Sequence, residues 1–451
     1  MDLSAHENNV CNFQGDQETR TTNLPRRFSF GANNDVIDHS SQISSPRTSC
    51  VSSSSLPFWT TSPETPWTRS PLSSSSPKPL LYHCLASLHR KEGNIFSLTI
   101  TKDFIFAGSS SKRIHFWKQP DCNEMGFIKV NKGQIRSMLA SGKLLITTHG
   151  DFRIRFWDLS SSSTSMKHFR PKKIMTLPQR TSFISYYRKV IKHKDAISCV
   201  AYNNLEHLLY TGSWDQTVKV WKLSEKRLID SFLAHEGYVN AIVINQEDGC
   251  VFTCSSDGTI KLWRRVSKES SHVLTMTLRF QESPVNALAL NLSPNGSFLY
   301  SGSSNGLINF WEKERISGRY NHGGFLQGHH FAVLCLVAIE DLILSGSEDS
   351  TIRIWKREEQ GNCFHCCLAV IDGHHGPVKS LAAVFENGDF IRGLLVYSAS
   401  LDQTLKVWRV KVCNGEKVKF DEIGKDKERL EGNLSPILSP SWVEKKIQGS
   451  I

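Results

Sequence analysis

A hairpin motif recurs along this chain and constrains its fold more than any other feature. Its clearest copy is residues 208–223, LLYTGSWDQTVKVWKL, in which an apolar run enters a tight turn at Asp215 and an alternating strand follows. Six further copies end at other tryptophans, namely Trp117, Trp157, Trp263, Trp311, Trp355 and Trp408. Successive terminal tryptophans are 40, 64, 42, 48, 44 and 53 residues apart, so the chain is a repeat array.

Seven such units predict an all-β fold, a seven-bladed β-propeller. Each unit supplies an apolar strand, the hairpin and a further apolar strand such as residues 227–233, so each blade is a four-stranded antiparallel sheet. A lone strand at residues 80–89 precedes the first hairpin, and the last unit lacks an outer strand after Trp408. We therefore expect residues 80–89 to complete the last blade and close the ring, which would otherwise keep an open edge.

The two ends of the chain differ from the repeats in composition. Residues 1–79 are rich in Ser and Pro and poor in aliphatic side chains, which predicts a disordered tail with sites for proline-directed phosphorylation. Residues 413–451 are charged and predict a second disordered tail. The propeller is thus expected over residues 80–412, with an insertion at 158–194.

The sequence contains no apolar run long enough to cross a membrane and no basic region followed by an apolar stretch at its start. The expected location is therefore the cytoplasm, the nucleus or both. Twelve cysteines in a chain of this length do not indicate a disulfide framework.

A histidine precedes the hairpin in four units, where it combines with a hydroxyl residue, an aspartate and the terminal tryptophan at near-equal spacing. The four sets are His193, Thr211, Asp215 and Trp221; His235, Thr253, Asp257 and Trp263; His329, Ser345, Asp349 and Trp355; and His374, Ser398, Asp402 and Trp408. On these residues, the chain from residue 80 to about 412 resembles the WD-repeat (β-transducin) family. The resemblance implies that each set forms a buried hydrogen-bonded chain with a structural role.

The other three units depart from this pattern. In the first, Ala107 and Ser111 replace the hydroxyl and the acid. The second has Gly133 where the histidine is expected, and the fifth has Glu282 for the histidine and Asn305 for the aspartate. These departures predict that the three blades are less rigid than the four with complete sets.

The overall arrangement resembles a narrower group, the plant WD-repeat proteins of the JINGUBANG type. The similar features are a Ser/Pro-rich head with the motif PFWTTSPETPWTRSP, seven repeats and a short tail. This resemblance implies a regulatory adaptor in plant signalling or development.

No catalytic residue, metal or cofactor is predicted. Ser, His and Asp also form nucleophile triads, but a catalytic site is needed once and this set recurs four times. The sequence has no phosphate loop, G-x-S-x-G or H-E-x-x-H motif. We therefore expect a monomeric, non-enzymatic scaffold that binds other proteins.

Two alternatives remain open. The net charge of +11 permits acidic partners, and residues 158–194 carry nine Lys or Arg against one acid. The same insertion contains the aromatic residues Phe183, Tyr186 and Tyr187, so it could neutralise phosphates and stack bases as a nucleic-acid-binding module. The second alternative is a ubiquitin-ligase substrate receptor, although no terminal tryptophan is followed by the Asp-x-Arg box of such propellers.

The resemblance also implies where partners bind. In WD-repeat proteins the face that carries the aspartate turns is the usual docking surface. On this face we predict five partner-binding residues: Arg136, Trp214, Tyr238, Lys379 and Leu401. Trp214 is the most informative of them, because a turn position that faces water has no folding reason to be tryptophan. Other positions on this face are Phe96, Lys112, Phe152, Asn240, Asn286, Leu334 and Glu348.

Overall fold

The structure is a computed structural model of the 451-residue chain. It describes residues 68–69, 80–89, 93–130, 133–160, 169–179, 191–266, 271–293, 296–358, 365–386 and 393–412. All of them belong to one unit, Ser62–Ile451. Apart from Thr68–Arg69, the two predicted tails lie outside the described residues.

The described residues contain 29 strands, numbered here in chain order. Two strands precede the first blade, β1 (Thr68–Arg69) and β2 (Leu80–His89). The first blade contains β3 (Ile95–Ile100), β4 (Phe104–Ser109), β5 (Arg113–Lys118) and β6 (Asn123–Lys129). The second contains β7 (Ile135–Ser141), β8 (Leu144–His149), β9 (Ile154–Asp158) and β10 (Lys172–Leu177). The third contains β11 (Ile197–Asn203), β12 (Leu208–Ser213), β13 (Thr217–Lys222) and β14 (Arg227–Leu233).

The remaining blades follow the same order. The fourth contains β15 (Val239–Ile244), β16 (Val251–Ser255), β17 (Ile260–Val266) and β18 (Ser271–Leu278). The fifth contains β19 (Val285–Ser293), β20 (Gly296–Ser303), β21 (Ile308–Lys313) and β22 (Tyr320–Leu326). The sixth contains β23 (Val333–Ile339), β24 (Leu342–Ser347), β25 (Ile352–Arg357) and β26 (His365–Ile371). The seventh contains β27 (Val378–Glu386), β28 (Gly393–Ser400) and β29 (Thr404–Val412).

These strands form seven antiparallel sheets arranged as a propeller. Within a blade the strands pair in chain order, for example β11 with β12, β12 with β13 and β13 with β14. The first strands of neighbouring blades contact one another around the whole ring, from β3 and β7 through to β27 and β3. The predicted seven-bladed β-propeller of four-stranded blades is therefore confirmed.

Strand β2 completes the seventh blade. It runs antiparallel to β29, from the pair Leu80 and Val412 to the pair His89 and Thr404. Leu80 and Tyr82 are buried beside Trp408 in the core of this blade. The prediction that residues 80–89 close the ring is confirmed, and β1 pairs with the other edge of β2.

The apolar core lies between blades, where each blade packs on the next. One cluster, for example, combines Tyr210 and Val220 of the third blade with Val239 and Trp263 of the fourth. A glycine in the second strand makes this close approach possible, because a Cβ atom on Gly212 would lie 2.6 Å from Val239 Cγ1. The Gly-Ser pair that recurs before the turns therefore reflects packing between blades as well as turn geometry.

The predicted basic insertion is described in part. Its residues 172–177 form β10, which supplies the outer strand of the second blade, as the sequence predicts. Phe183, Tyr186 and Tyr187 lie outside the described residues.

Candidate functional site

Each of the four predicted sets comes together as one hydrogen-bonded chain. In the third blade, His193 Nδ1 donates to Asp215 at 3.0 Å, and His193 Nε2 lies 2.9 Å from Thr211 Oγ1. Trp221 Nε1 donates to the same hydroxyl at 3.0 Å. The corresponding histidine-to-hydroxyl distances are 2.8 Å at His235 and 2.7 Å at both His329 and His374.

The turn aspartate accepts hydrogen bonds from backbone N–H groups and from a second hydroxyl, in addition to the histidine that the sequence pattern indicated. Asp215 accepts bonds from the Thr217 hydroxyl at 2.6 Å, the Thr217 N–H at 3.0 Å and the Lys194 N–H at 2.7 Å. The equivalent hydroxyls in the other three sets are Thr259, Thr351 and Thr404. We did not identify these threonines from the sequence, although a hydroxyl residue two positions after the aspartate recurs in all four sets.

Burial and hydrogen bonding set the charge states in these chains. Burial lowers the pKa of His193, His235 and His329, so each imidazole is neutral at pH 7. Burial alone would raise the pKa of Asp215, but bonds from His193 and Thr217 hold that pKa below its usual range. A neutral imidazole between a carboxylate and a hydroxyl satisfies every polar atom of the chain, which is what a rigid structural network needs.

The alignment of two degraded units needs correction. In the intact sets the histidine lies four residues before the first strand, as His193 lies before Ile197. In the fifth unit this position is Gln281, whose amide oxygen accepts a bond from Asn305 at 2.5 Å, and Glu282 beside it points to solvent. In the second unit the position is Asn131, outside the described residues, so neither Glu282 nor Gly133 takes the histidine's place.

The second blade builds its network with a different histidine. His149, at the end of β8, is fully buried and lies 2.8 Å from Thr147 Oγ1, which also accepts a bond from Trp157. Burial lowers the pKa of His149 to about 3. The turn acid of this blade, Asp151, instead forms a two-pronged ion pair with Arg155. The sequence does contain a clue to this histidine. His149 lies two residues after the network hydroxyl, in TTHGD, at a position where the four intact sets have serine.

A further buried chain links neighbouring blades. Asp230 accepts from His272 Nδ1 at 2.7 Å, and His272 Nε2 accepts from the Tyr210 hydroxyl at 3.0 Å. The Tyr300 hydroxyl lies at a similar distance, 2.9 Å, from His365 in the next blade. These Tyr–His contacts are buried or partly buried and join neighbouring blades, so we assign them to packing between blades.

Another group of side chains meets on the face that carries the aspartate turns. We call the face with the turns between the second and third strands of the blades, such as β12 and β13, the turn face. On it the Arg136 guanidinium lies between two aromatic rings, 5.5 Å from the centroid of Phe96 and 5.4 Å from that of Trp214. The Trp214 ring in turn lies 5.7 Å from the Tyr238 ring. These four residues, from four consecutive blades, form the aromatic–arginine cluster.

The cluster contains three of the five predicted partner-binding residues. Trp214 is 37% exposed and Tyr238 is 53% exposed, whereas Arg136 is half-buried between the rings. Lys379 and Leu401 are half-buried and lie in the seventh blade, on the other side of Phe96. Burial lowers the pKa of Lys379. The structure therefore brings Arg136, Trp214 and Tyr238 together but leaves Lys379 and Leu401 apart from them.

Comparison with known families agrees with this geometry. Five stretches match the model described as "WD domain, G-beta repeat", namely residues 185–222, 226–264, 272–312, 321–356 and 365–409. The chain contains WD40 repeats. The five matches coincide with the third to seventh blades, which include all four intact networks. WD40 propellers are generally non-enzymatic scaffolds that bind other proteins.

Known proteins similar to this chain share only part of their length with it. It is 30% identical over 246 residues to the human kinesin-like protein KIF21A, covering 48% of this chain and 13% of that protein. It is 28% identical over 138 residues to cell division control protein 4 of Candida albicans (28% and 19%). It is 25% identical over 218 residues to apoptotic protease-activating factor 1 of Danio rerio (48% and 16%). The chain thus spans less than a fifth of each relative.

Other kinds of site are absent from the described part of the chain. It contains no group of three His, Cys, Asp or Glu side chains placed to hold a metal ion. Over the same residues, no helix has the length and apolar character needed to cross a bilayer.

Proposed function

We propose that this protein is a non-enzymatic scaffold that binds other proteins through the turn face, with the aromatic–arginine cluster as the centre of the contact. The observation that carries the proposal is the continuous series of side-chain contacts from Phe96 through Arg136 and Trp214 to Tyr238. Aromatic and arginine side chains supply most of the energy of protein interfaces.

The cluster is held in place before any partner arrives. The Trp214 N–H donates to the Ala196 carbonyl at 3.0 Å, and the Tyr238 N–H donates to Ser256 Oγ at 2.8 Å. Arg136 packs between two rings, which restricts its long side chain. A surface whose backbone is held in this way, and whose arginine is restricted, loses less conformational entropy on binding, and this supports a role in docking.

The polar networks support the absence of catalysis. The imidazole and hydroxyl groups that could act as base and nucleophile are buried, as in His235 and Thr253, and already hydrogen-bonded to each other. A nucleophile in such a network has no open side from which a substrate could approach. We therefore assign these residues to stability and the turn face to function.

The biological setting is part of the proposal. We propose a regulatory adaptor in plant signalling or development, acting as a monomer in the cytoplasm, the nucleus or both. The plant setting rests on the resemblance of the head motif and repeat order to JINGUBANG-type proteins. Fluorescence imaging of the tagged protein and light scattering of the purified protein test the location and the monomeric state.

Affinity purification with mass spectrometry tests the docking face. We would compare the full-length protein with the double variant Trp214→Ala, Tyr238→Ala. The matched control is Leu205→Ala, Ile316→Ala, because these apolar residues are 72% and 98% exposed in turns at the opposite ends of the strands. We expect the first variant to lose the main partners and the control to keep them. Equal recovery in all three samples would contradict the proposal.

A further inference from the structure

The central residue of the aromatic–arginine cluster carries an unbalanced charge. Arg136 Nε is buried and has no hydrogen-bond partner. Among the residues that the structure describes, no carboxylate lies within ion-pair distance of this guanidinium. The guanidinium carbon lies 5.5 Å from the Phe96 centroid and 5.4 Å from the Trp214 centroid, and Nε is the nitrogen that is buried without a partner, so a ligand would approach the two terminal nitrogens.

Other arginines of this protein show how the fold treats a structural guanidinium. Arg155 forms a two-pronged ion pair with Asp151, and Arg409 forms one with Glu386 at 3.0 and 2.7 Å. Burial of a charge is unfavourable unless it is paired, and both of these side chains are paired within their own blade. Arg136 differs from these two because the fold places rings beside it and, among the described residues, no anion. Within the same part of the chain, Arg357 also lies over a ring without a carboxylate, but it donates to Ser293 Oγ and lies at the end of its strand away from the turn face.

The surrounding turn face is divided by charge. The first three blades present Lys112, Lys192 and Lys194 at this face, beside the carboxylate of Asp195, and none of these lysines forms an ion pair with a described residue. The next three blades present Glu236, Glu282 and Glu348 at exposed positions. An acidic ligand is therefore attracted to the lysines of the first three blades and repelled by the glutamates of the next three, the first of which, Glu236, lies two residues from Tyr238.

We propose that the partner presents an acidic peptide segment, and that Arg136 binds the side-chain carboxylate of an Asp or Glu in it. The planar edge of one guanidinium matches a single carboxylate in shape and in charge. An apolar side chain of the same segment packs on the exposed rings of Trp214 and Tyr238. This inference rests on the proposed function and specifies the chemistry of its site.

A peptide selection tests the inference even though the partner is not identified. A random peptide display library is selected on the immobilised full-length protein, and the enriched peptides are labelled for fluorescence polarisation. Affinities are then measured for the parent, Arg136→Met, which keeps the apolar stem between the rings, and Arg136→Lys, which keeps the charge without the planar fork. The control Arg319→Gln removes an exposed positive charge in the turn between β21 and β22, at the other face. Circular dichroism checks the fold of each variant.

We expect the enriched peptides to share an Asp or Glu beside an apolar residue. Arg136→Met should weaken them by about tenfold or more, Arg136→Lys should restore binding only in part, and Arg319→Gln should have no effect. Changing the peptide's acid to its amide should have the same effect on the parent protein and little further effect on Arg136→Met, as expected for groups that contact each other.

Two results would overturn the inference. These are a selection that enriches no acidic peptides, and acidic peptides that bind Arg136→Met as tightly as the parent. If the enriched peptides lack acidic residues but still require Trp214 and Tyr238 for binding, the proposal of an acidic ligand is wrong, and the proposal of docking on the turn face is kept. If neither peptides nor cellular partners depend on Trp214 and Tyr238, the proposed function fails as well.

Discussion

The clearest test of the hydrogen-bonded networks is a pair of adjacent histidines with different environments. The side chain of His329 is buried and bonds to Asp349 at 2.8 Å and to Ser345 at 2.7 Å. The side chain of its neighbour His330 is exposed, and only the backbone N–H of that residue contacts Asp349. Replacing each with alanine compares a network residue with a surface residue in nearly the same stretch of sequence.

The expected loss for His329→Ala follows from these contacts. Two hydrogen bonds disappear at about 1 kcal/mol each. Asp349 keeps bonds from Thr351 and from the His330 backbone, and Ser345 keeps the bond from Trp355, so neither is left without a partner. The cavity left by the imidazole adds about 1–2 kcal/mol. We therefore expect a total of about 3–4 kcal/mol, a large part of the stability of an ordinary domain.

Urea unfolding at pH 7, followed by tryptophan fluorescence and far-UV circular dichroism, measures the difference. His330→Ala should lie within about 0.5 kcal/mol of the parent protein, as surface substitutions usually do. If His329→Ala is no less stable than His330→Ala, the network does not stabilise the blade through these two hydrogen bonds.

Two further predictions concern ring closure and pH. Deleting residues 1–90 removes β2 and exposes the edge of β29, so we expect aggregation and a lower melting temperature. Deleting residues 1–78 leaves β2 in place and should change the melting temperature by only a few degrees. Chromatography and thermal unfolding compare the two, and equal behaviour would contradict closure by β2. Burial lowers the pKa of His149 to about 3 in the folded protein, so as the pH falls the unfolded chain binds a proton at this histidine before the folded protein does. The contribution of His149 to the free energy of unfolding should therefore be fully present above pH 6.5 and should decrease as the pH falls towards 3. His149→Gln should flatten this part of the stability curve, and an unchanged slope would assign the loss to other groups.

Local repetition explains how much of the fold could be predicted. The hairpin, its turn aspartate and the terminal tryptophan lie within a short stretch, so one copy such as residues 208–223 defines the pattern for the others. The role of residues 80–89 in closing the ring followed from counting strands. The last unit lacked an outer strand after Trp408, and residues 80–89 formed a strand that belonged to no unit. Three of the five predicted binding residues meet on the turn face for the same reason, since the positions repeat with the blades.

Features that depend on one blade meeting another could not be predicted in this way. The bond between Tyr210 and His272 joins residues 62 positions apart, and although the tyrosine position recurs at Tyr300, nothing in the local sequence identifies its histidine partner. In the fifth unit, two adjacent polar residues fit the histidine position equally well, and only the strand register selects Gln281. His149 was missed because its imidazole reaches the network from the same strand as the hydroxyl of Thr147, two residues away, and not from the position before the first strand where the intact sets have their histidine.

Docking of partners on the turn face, over the aromatic–arginine cluster, can be measured by hydrogen–deuterium exchange of the protein with and without a recovered partner. We predict slower exchange in the complex at residues 94–96, 134–136, 212–216 and 236–240, with no change in the turns at 204–207 and 314–319 on the other face. Protection confined to those opposite turns, or to the outer strands of the blades, would contradict docking on the turn face.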